Sequence, residues 1–189
     1  MRNYIFIFLL ISLFGCSTPK QFTDYYMEDN QVNLFAFVGK KISIINFNPN
    51  TEQIGEKVYN SISGDTLVQK SHIMDFGYRC KYLIVKNVFN NPKVDTIDFV
   101  TYDHYGRPAF SEFENVLLYV SKNAKGNYFF HQKYQFDYLK KNRKGIFYGY
   151  TYDRKVTKKR VLFKNKKYAC LEDLFLKKKN EAFKSLFEK

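Results

Sequence analysis

The chain lacks the short motifs that mark many enzymes and cofactor-binding proteins. It contains no G-x-S-x-G nucleophile turn, no glycine-rich phosphate loop and no C-x-x-C pair. Its three histidines, His72, His104 and His131, have neither the i, i+4 spacing nor the H-x-H spacing that places two zinc ligands on one element. The sequence therefore predicts no cofactor and no metal, and it favours a non-catalytic protein.

Tryptophan is absent, and glycine and proline are few, with 9 and 4 residues in a chain of 189. Disordered chains are rich in glycine and proline and poor in aromatic residues, whereas this chain has 20 Phe and 16 Tyr. Aromatic and β-branched residues fit the surface of a pleated sheet. The composition therefore predicts a folded and mainly β protein.

Long hydrophobic runs are missing as well, with one exception near the start. Tyr4–Phe14 form an uncharged stretch of 11 residues behind Arg2. As a helix this stretch would be about 17 Å long, roughly half of the ~30 Å hydrocarbon core of a bilayer. It is too short to span a membrane and is typical of the hydrophobic region of a signal peptide.

The hydrophobic stretch leads into Leu13-Phe14-Gly15-Cys16, which resembles the lipobox of bacterial lipoproteins. The departure is Phe14, which stands where the lipobox usually has a small residue. The resemblance implies cleavage after Gly15 and attachment of fatty acyl chains such as palmitate at Cys16, whose thiolate is an effective nucleophile. Several acyl chains anchor a protein stably without crossing the membrane. An ordinary secretory signal that contains a cysteine is the alternative.

The lipobox resemblance divides the chain into a signal peptide over residues 1–15, a lipid-anchored tether over 16–30 and one β-rich domain over 31–189. It implies a cell-envelope location, facing the periplasm or the cell surface, with the membrane as a partner through the N-terminal lipid. Ser17 follows the cysteine where an Asp resembles the inner-membrane retention signal of enteric-type bacteria. The outer membrane is therefore expected if the cell has one.

Two cysteines remain besides Cys16, and the sequence leaves their state open. An oxidising compartment would allow a disulfide between Cys80 and Cys170. Such a bridge would close a long loop and would contribute roughly 4–5 kcal/mol in the chain-entropy model. The alternative is two buried free thiols that pack as small hydrophobic side chains.

Acidic residues are scarce in the second part of the chain. Residues 16–121 hold 10 Lys and Arg against 12 Asp and Glu, whereas residues 122–189 hold 20 against 6. This asymmetry is compatible with a face that binds an anionic lipid or glycan, and equally with a solvated lysine-rich surface in a protein from an A/T-rich genome. Nucleic acid is an unlikely partner for an exported, lipid-anchored protein.

Hydrophobic periodicity predicts the main elements of the domain. Tyr78–Phe89 alternates as a strand with one apolar face, and Val116–Val120 form an apolar run expected of a strand buried on both faces. Residues 128–138 show the clearest alternation, with the aromatic rings on one face and His131 on the other.

A helical period replaces the alternation at 171–187, where Leu171, Leu174 and Phe175 begin an apolar stripe. The lysines at 177–179 interrupt this stripe and predict a break in the helix. The expected fold is mainly β, an OB-like closed or partly open antiparallel barrel with a C-terminal α-helix. The alternative is an α+β fold in which a curved antiparallel sheet packs on the helix.

The segments FAFVGKKISI, YRCKYLIVKNVFNN, VDTIDFVTYD and NVLLYVSK are similar in order and pattern to netrin-like domains and the tissue inhibitors of metalloproteinases. The resemblance covers residues 34–123 and implies an OB-fold barrel. Those inhibitors use the free amino group of an N-terminal Cys-x-Cys segment to coordinate the zinc of their target. Cys16 would be lipidated here and has no second cysteine nearby, so this chemistry does not carry over.

The polar segment TYDHYGRPAF is the candidate for a binding or catalytic loop. Asp103 and His104 together could act as an acid/base pair, and Arg107 could bind an anion through two hydrogen bonds. The alternative is a turn in which Asp103 accepts hydrogen bonds from nearby backbone N–H groups.

Three functions follow from these features. A non-catalytic binding or structural module of the envelope is expected first. An envelope hydrolase that uses Asp103 and His104 is an alternative, as is a binder of anionic lipid or glycan that uses the basic second part of the chain. An envelope protein is a further possible partner.

Overall fold

The computed structural model of the chain describes the backbone of residues 25–51, 56–59, 66–69, 72–157 and 160–188. Side chains are described for residues 25–51, 72–151 and 167–188. The predicted signal peptide, Cys16 and the first part of the predicted tether lie outside these ranges.

The described residues form strands over most of their length, followed by two helices. The strands are β1 (Phe35–Phe47), β2 (Glu56–Tyr59), β3 (Thr66–Gln69), β4 (Phe76–Phe89), β5 (Thr96–Asp103), β6 (Asn115–Lys122), β7 (Phe129–Tyr138), β8 (Lys140–Lys141), β9 (Phe147–Thr157) and β10 (Arg160–Ala169). The helices are α1 (Leu171–Glu181) and α2 (Lys184–Phe187), and a short 3-10 helix, Ala109–Glu112, connects β5 to β6.

Five strands close into a ring in the order β1-β4-β5-β7-β6. The predicted OB-like, mainly β fold with a C-terminal helix is therefore confirmed, although the ring is irregular and not wholly antiparallel. β5 and β7 run parallel where Phe99 faces Phe129. β1 pairs with β6 over its first half and with β4 along almost its whole length, and three register shifts bend it to do so.

Two smaller sheets accompany the ring. β2 and β3 form a hairpin in the connection between β1 and β4, and β8, β9 and β10 form a three-stranded sheet that follows the ring in the chain. The last strand of that sheet leads directly into α1 at Leu171.

One hydrophobic core fills the interior of the ring, and we call it the barrel interior. Tyr78, Cys80 and Tyr82 point into it from β4, as the alternation of that strand predicts, while Arg79 and Lys81 are exposed. Residues 116–120 are wholly buried, which confirms the prediction for β6. The reason is that their alternate side chains face two different cores.

The second core lies between the outside of the ring and the C-terminal helices, and we call it the outer layer. Leu117 and Tyr119 of β6 face Leu174 and Phe175 of α1 across it. The ring of Phe175 stacks on that of Phe89, with 4.9 Å between centroids. The helical stripe thus packs on the barrel.

The break between the two helices falls after Glu181 and not at the lysines 177–179, where the sequence pattern places it. Lysine is a good helix former whose long stem lies along a helix surface, so three of them do not interrupt the backbone hydrogen bonds. Residues 25–30 of the predicted tether also belong to the folded part. Met27 forms a β-bridge with Phe89, and the ring of Tyr25 packs near that of Phe175, with 6.1 Å between the ring centroids.

Candidate functional site

A wide bulge in β7 shapes one end of the barrel. His131 pairs with Val120 of β6 and Phe136 pairs with Leu118, so residues 132–135 all lie opposite the single residue Tyr119. Tyr134 has φ of +63°, which non-glycine residues rarely adopt. The bulge therefore turns Lys133 and Tyr134 away from the strand and towards the neighbouring loops.

The bulge is closed by His131, which the period-2 pattern places on the face opposite the rings. The structure instead buries this imidazole in contact with Phe110, with 4.7 Å between ring centroids. Its Nε2–H donates to the carbonyl oxygen of Gln135 at 2.9 Å. Burial lowers the pKa of His131 to about 4, so the ring is neutral at physiological pH. The prediction failed because the extra residues of the bulge reverse the alternation.

The carboxylate of Asp75 joins two of the segments at this end of the barrel. One oxygen accepts a hydrogen bond from Lys133 Nζ in the bulge, and the other lies 3.2 Å from His104 Nδ1 in the loop after β5. The hydrogen bond from Lys133 is the largest cause that holds the pKa of Asp75 below its usual value, and His104 acts in the same direction. Asp75 therefore fixes the loop and the bulge relative to the start of β4.

Exposed apolar side chains surround this ion-pair network. Tyr105 is 86% exposed and Tyr134 is 47% exposed, and their ring centroids lie 6.3 Å apart. Met74 and Phe76, on either side of Asp75, are also largely exposed. We call the exposed side chains and the network together the loop-end patch; it comprises Met74, Asp75, Phe76, His104, Tyr105, Lys133 and Tyr134.

The three residues that the sequence singles out have different roles in the structure. Asp103 accepts the backbone N–H of Tyr105 at 2.9 Å, as expected of a turn. The carboxylate that contacts His104 is that of Asp75. Arg107 lies in the same loop, where its charge acts on Cys80 and Tyr82 at the edge of the barrel interior.

Sequence reasoning missed Asp75 and Lys133, because no local pattern connects them. They are separated from each other by 58 positions, and Asp75 and His104 by 29. The available signal was weak: Asp75 lies just before a strand in an otherwise apolar segment, where a carboxylate is suited to a role at the strand end.

The patch has part of an acid/base site. A carboxylate that contacts Nδ1 orients an imidazole. However, within the described ranges no serine, threonine or cysteine side chain is hydrogen-bonded to His104. Nor do the described residues contain a group of three or more His, Cys, Asp or Glu side chains able to hold a metal ion.

The two cysteines whose pairing was left open are both free thiols. Cys80 lies in the barrel interior, where burial raises its pKa to about 12. Cys170 precedes α1, and its Sγ donates to Asp173 Oδ2 at 3.2 Å. Of the two alternatives left open by the sequence, the structure therefore shows no disulfide, because the Cys80 thiol faces the barrel interior and Cys170 lies at the N-terminus of α1.

No protein-family model, curated protein or solved structure matches the chain. None of the helices within the described ranges is long and apolar enough to cross a membrane.

Proposed function

We propose that this protein is a lipid-anchored, non-catalytic binding module of the cell envelope, which holds an envelope protein at the loop-end patch. The anchor is the N-terminal lipid on Cys16, and the outer membrane is the expected location in a cell that has one. The observation that supports the binding role is the exposure of Tyr105 and Tyr134 next to the Asp75 ion-pair network.

The composition of the patch favours a protein partner. Tyrosine and methionine are enriched in the centres of protein interfaces, where a few large side chains account for most of the binding energy. The patch has such side chains at Tyr105, Tyr134 and Met74. The contacts of Asp75 connect the segments that carry them. Segments that are already ordered before the partner binds lose less conformational entropy on association.

An envelope hydrolase remains the second candidate, now centred on His104 and Asp75 instead of His104 and Asp103. The 3.2 Å contact between Nδ1 and the Asp75 carboxylate is the observation in its favour. The netrin-like resemblance adds to the expectation of an OB-like barrel with a binding face, and it contributes nothing to the choice between these two functions.

The anchor is tested by mass spectrometry of the N-terminus of the mature protein. The expected product begins at Cys16 and carries the added mass of a diacylglyceryl group, with or without a further acyl chain. A Cys16→Ser variant should keep its leader or appear without lipid. A wild-type protein whose Cys16 is unmodified would overturn the anchoring proposal.

The patch is tested by photo-crosslinking in intact cells with a photoreactive residue at position 105. A discrete adduct with one envelope protein is expected, and Tyr134→Ala should reduce its yield several-fold. The control places the same probe at position 128, because Tyr128 is also exposed, at 49%, but lies in the turn between β6 and β7. The same adducts at both positions would contradict the proposal.

A hydrolase would respond differently. His104→Gln should abolish turnover of its substrate but leave the crosslink at position 105 nearly unchanged, because glutamine removes the titratable ring and keeps a polar side chain. A binding module should show no hydrolytic activity that depends on His104.

A further inference from the structure

A cleft opens between the C-terminal helix and the sheet, and none of the residues of the loop-end patch lines it. It has a volume of about 260 Å³ and is lined by residues of β7, β9 and α1. We call it the helix cleft; the residues used here are Asp137, Tyr138, Tyr150, Leu174, Lys177 and Glu181. The volume lies just below the ~300–1,000 Å³ of sites for drug-sized ligands, so it suits one small ring.

Aromatic side chains form one side of the helix cleft. The rings of Tyr138 and Tyr150 are 5.9 Å apart, and Tyr150 also contacts Tyr168, whose centroid is 5.3 Å away and whose side chain is mostly exposed. Lys140 Nζ lies 5.9 Å from the Tyr150 centroid. The aromatic side of the cleft therefore continues onto an open surface along β9 and β10.

A carboxylate, that of Asp137, also lines the cleft. Asp137 Oδ2 accepts a hydrogen bond from the buried Tyr119 hydroxyl at 2.9 Å, which fixes the orientation of the carboxylate. Burial raises the pKa of Asp137, while the positive charge of Lys178 acts in the opposite direction. Since Tyr119 engages one oxygen of Asp137, which lines the cleft, we expect the other oxygen to accept a hydrogen bond from a bound group.

The remaining polar groups come from one face of α1. Lys178 donates to the side-chain oxygen of Gln135 at 3.1 Å and is thereby held against the β7 bulge. Lys177 and Glu181 form no hydrogen bond or ion pair with another described side chain, although both act electrostatically on Asp137. The cleft thus has the positively charged Lys177 and two carboxylates, which accept hydrogen bonds, next to its aromatic side.

We propose that the helix cleft binds one anionic sugar unit of an envelope glycan. The face of the sugar would stack on Tyr150, its hydroxyl groups would donate to Asp137 and Glu181, and its carboxylate or phosphate would pair with Lys177. This arrangement uses each kind of group that lines the cleft. The basic charge of residues 122–189 favours an anionic sugar over a neutral one.

A lipid headgroup offers the same anionic chemistry without the sugar ring. The carboxylates of Asp137 and Glu181 favour the sugar, because they need hydroxyl donors that the phosphate of a simple lipid does not supply. This inference does not depend on the loop-end patch and remains testable if that patch has no partner.

The test measures binding of oligogalacturonate to the full-length protein in detergent by calorimetry, with a neutral glucose oligomer and phosphatidylglycerol vesicles as comparison probes. Oligogalacturonate should bind at least about tenfold more tightly than the neutral oligomer, which is the value of about one charge-assisted hydrogen bond. Lys177→Gln should remove most of this preference.

The matched control is Lys125→Gln, which makes the same charge change in the exposed turn between β6 and β7. It should change the affinity by less than about twofold at 0.15 M salt, since Lys125 does not line the cleft and salt screens exposed charges. Tyr150→Leu should weaken binding of the charged oligomer about tenfold through lost stacking, whereas Tyr128→Leu should not.

Equal effects of the two lysine substitutions would overturn the proposal, because they would indicate attraction by net charge alone. Binding to the vesicles but not to oligogalacturonate would also overturn it and would assign the basic surface to lipid. Unchanged thermal unfolding of the Lys177→Gln and Tyr150→Leu variants excludes misfolding as the cause of lost binding.

Discussion

The barrel interior and the outer layer are both built from large aromatic side chains, but they differ in the hydrogen bonding of their buried polar atoms. Tyr82 in the barrel interior and Tyr119 in the outer layer are both 0% exposed. The Tyr82 hydroxyl has no hydrogen-bond partner among the described residues, whereas the Tyr119 hydroxyl donates to Asp137. The centre of a closed ring of strands offers few hydrogen-bond partners to a buried hydroxyl. In a layer with an open side, a buried hydroxyl can donate to a carboxylate near solvent.

The same difference appears in the titratable groups of the two cores. Burial raises the pKa of Cys80 to about 12 and lowers that of His131 to about 4, so both side chains stay neutral in the barrel interior at physiological pH. Asp137 borders the outer layer, and there the charge of Lys178 and the Tyr119 hydroxyl offset part of the effect of burial. The barrel interior thus excludes charge, whereas the edge of the outer layer accommodates it.

The largest expected effect comes from opening the outer layer at Phe175. Phe175→Ala removes a fully buried ring that stacks on Phe89 and leaves a cavity. The free energy of unfolding should fall by about 3–5 kcal/mol, as measured by denaturant titration. The neighbouring Leu176→Ala is the control; it should cost less than about 1 kcal/mol, because Leu176 is exposed. Similar losses in both variants would show that the outer layer is not a packed core.

An effect of intermediate size is expected from the buried histidine of the barrel interior. The unfolded chain protonates His131 near pH 6.5, but the folded chain does so only near pH 4. Unfolding therefore takes up a proton between these values, and the free energy of unfolding should fall by about 3 kcal/mol as the pH drops from 6.5 to 4. This contribution is fully present above pH 6.5.

His131→Gln should flatten the pH dependence in that window, because glutamine can still donate to the Gln135 carbonyl but does not titrate. His72→Gln, at an exposed histidine, should retain the full slope. Denaturant titrations at several pH values measure both slopes. An unchanged slope in the His131 variant would mean that the imidazole reaches solvent in the folded state.

The smallest effects should differ in sign between the two buried tyrosines. Tyr119→Phe removes the donor to Asp137 and should cost about 1–3 kcal/mol at neutral pH. The loss should shrink at low pH, since a protonated Asp137 needs this donor less. Tyr82→Phe removes a hydroxyl that lacks a partner and should stabilise the protein by up to about 1 kcal/mol. Equal losses in both variants, measured by thermal unfolding, would remove the contrast between the two cores.

Much of the fold could be predicted from local patterns, and the site largely could not. The apolar run 116–120 could be interpreted because a short continuous run is typical of a strand buried on both faces. The stripe that begins at Leu171 could be interpreted because its apolar residues repeat with the period of a helix. The bulge in β7 leaves no such trace, since it arises from the register in which β7 pairs with β6 on either side of Tyr119. The Asp75–Lys133 contact likewise arises only when distant strands close into a ring.

The position of β7 in the ring also has a consequence for how the chain folds. β7 joins the free side of β5 to the free side of β6, and it follows both in sequence. Until it inserts, two largely buried strands present unpaired backbone edges, which are templates for association with other chains. The pairing of β1 with β6 also joins Phe35 to Val120, which lie far apart in the sequence, and such non-local pairing is expected to make folding slow.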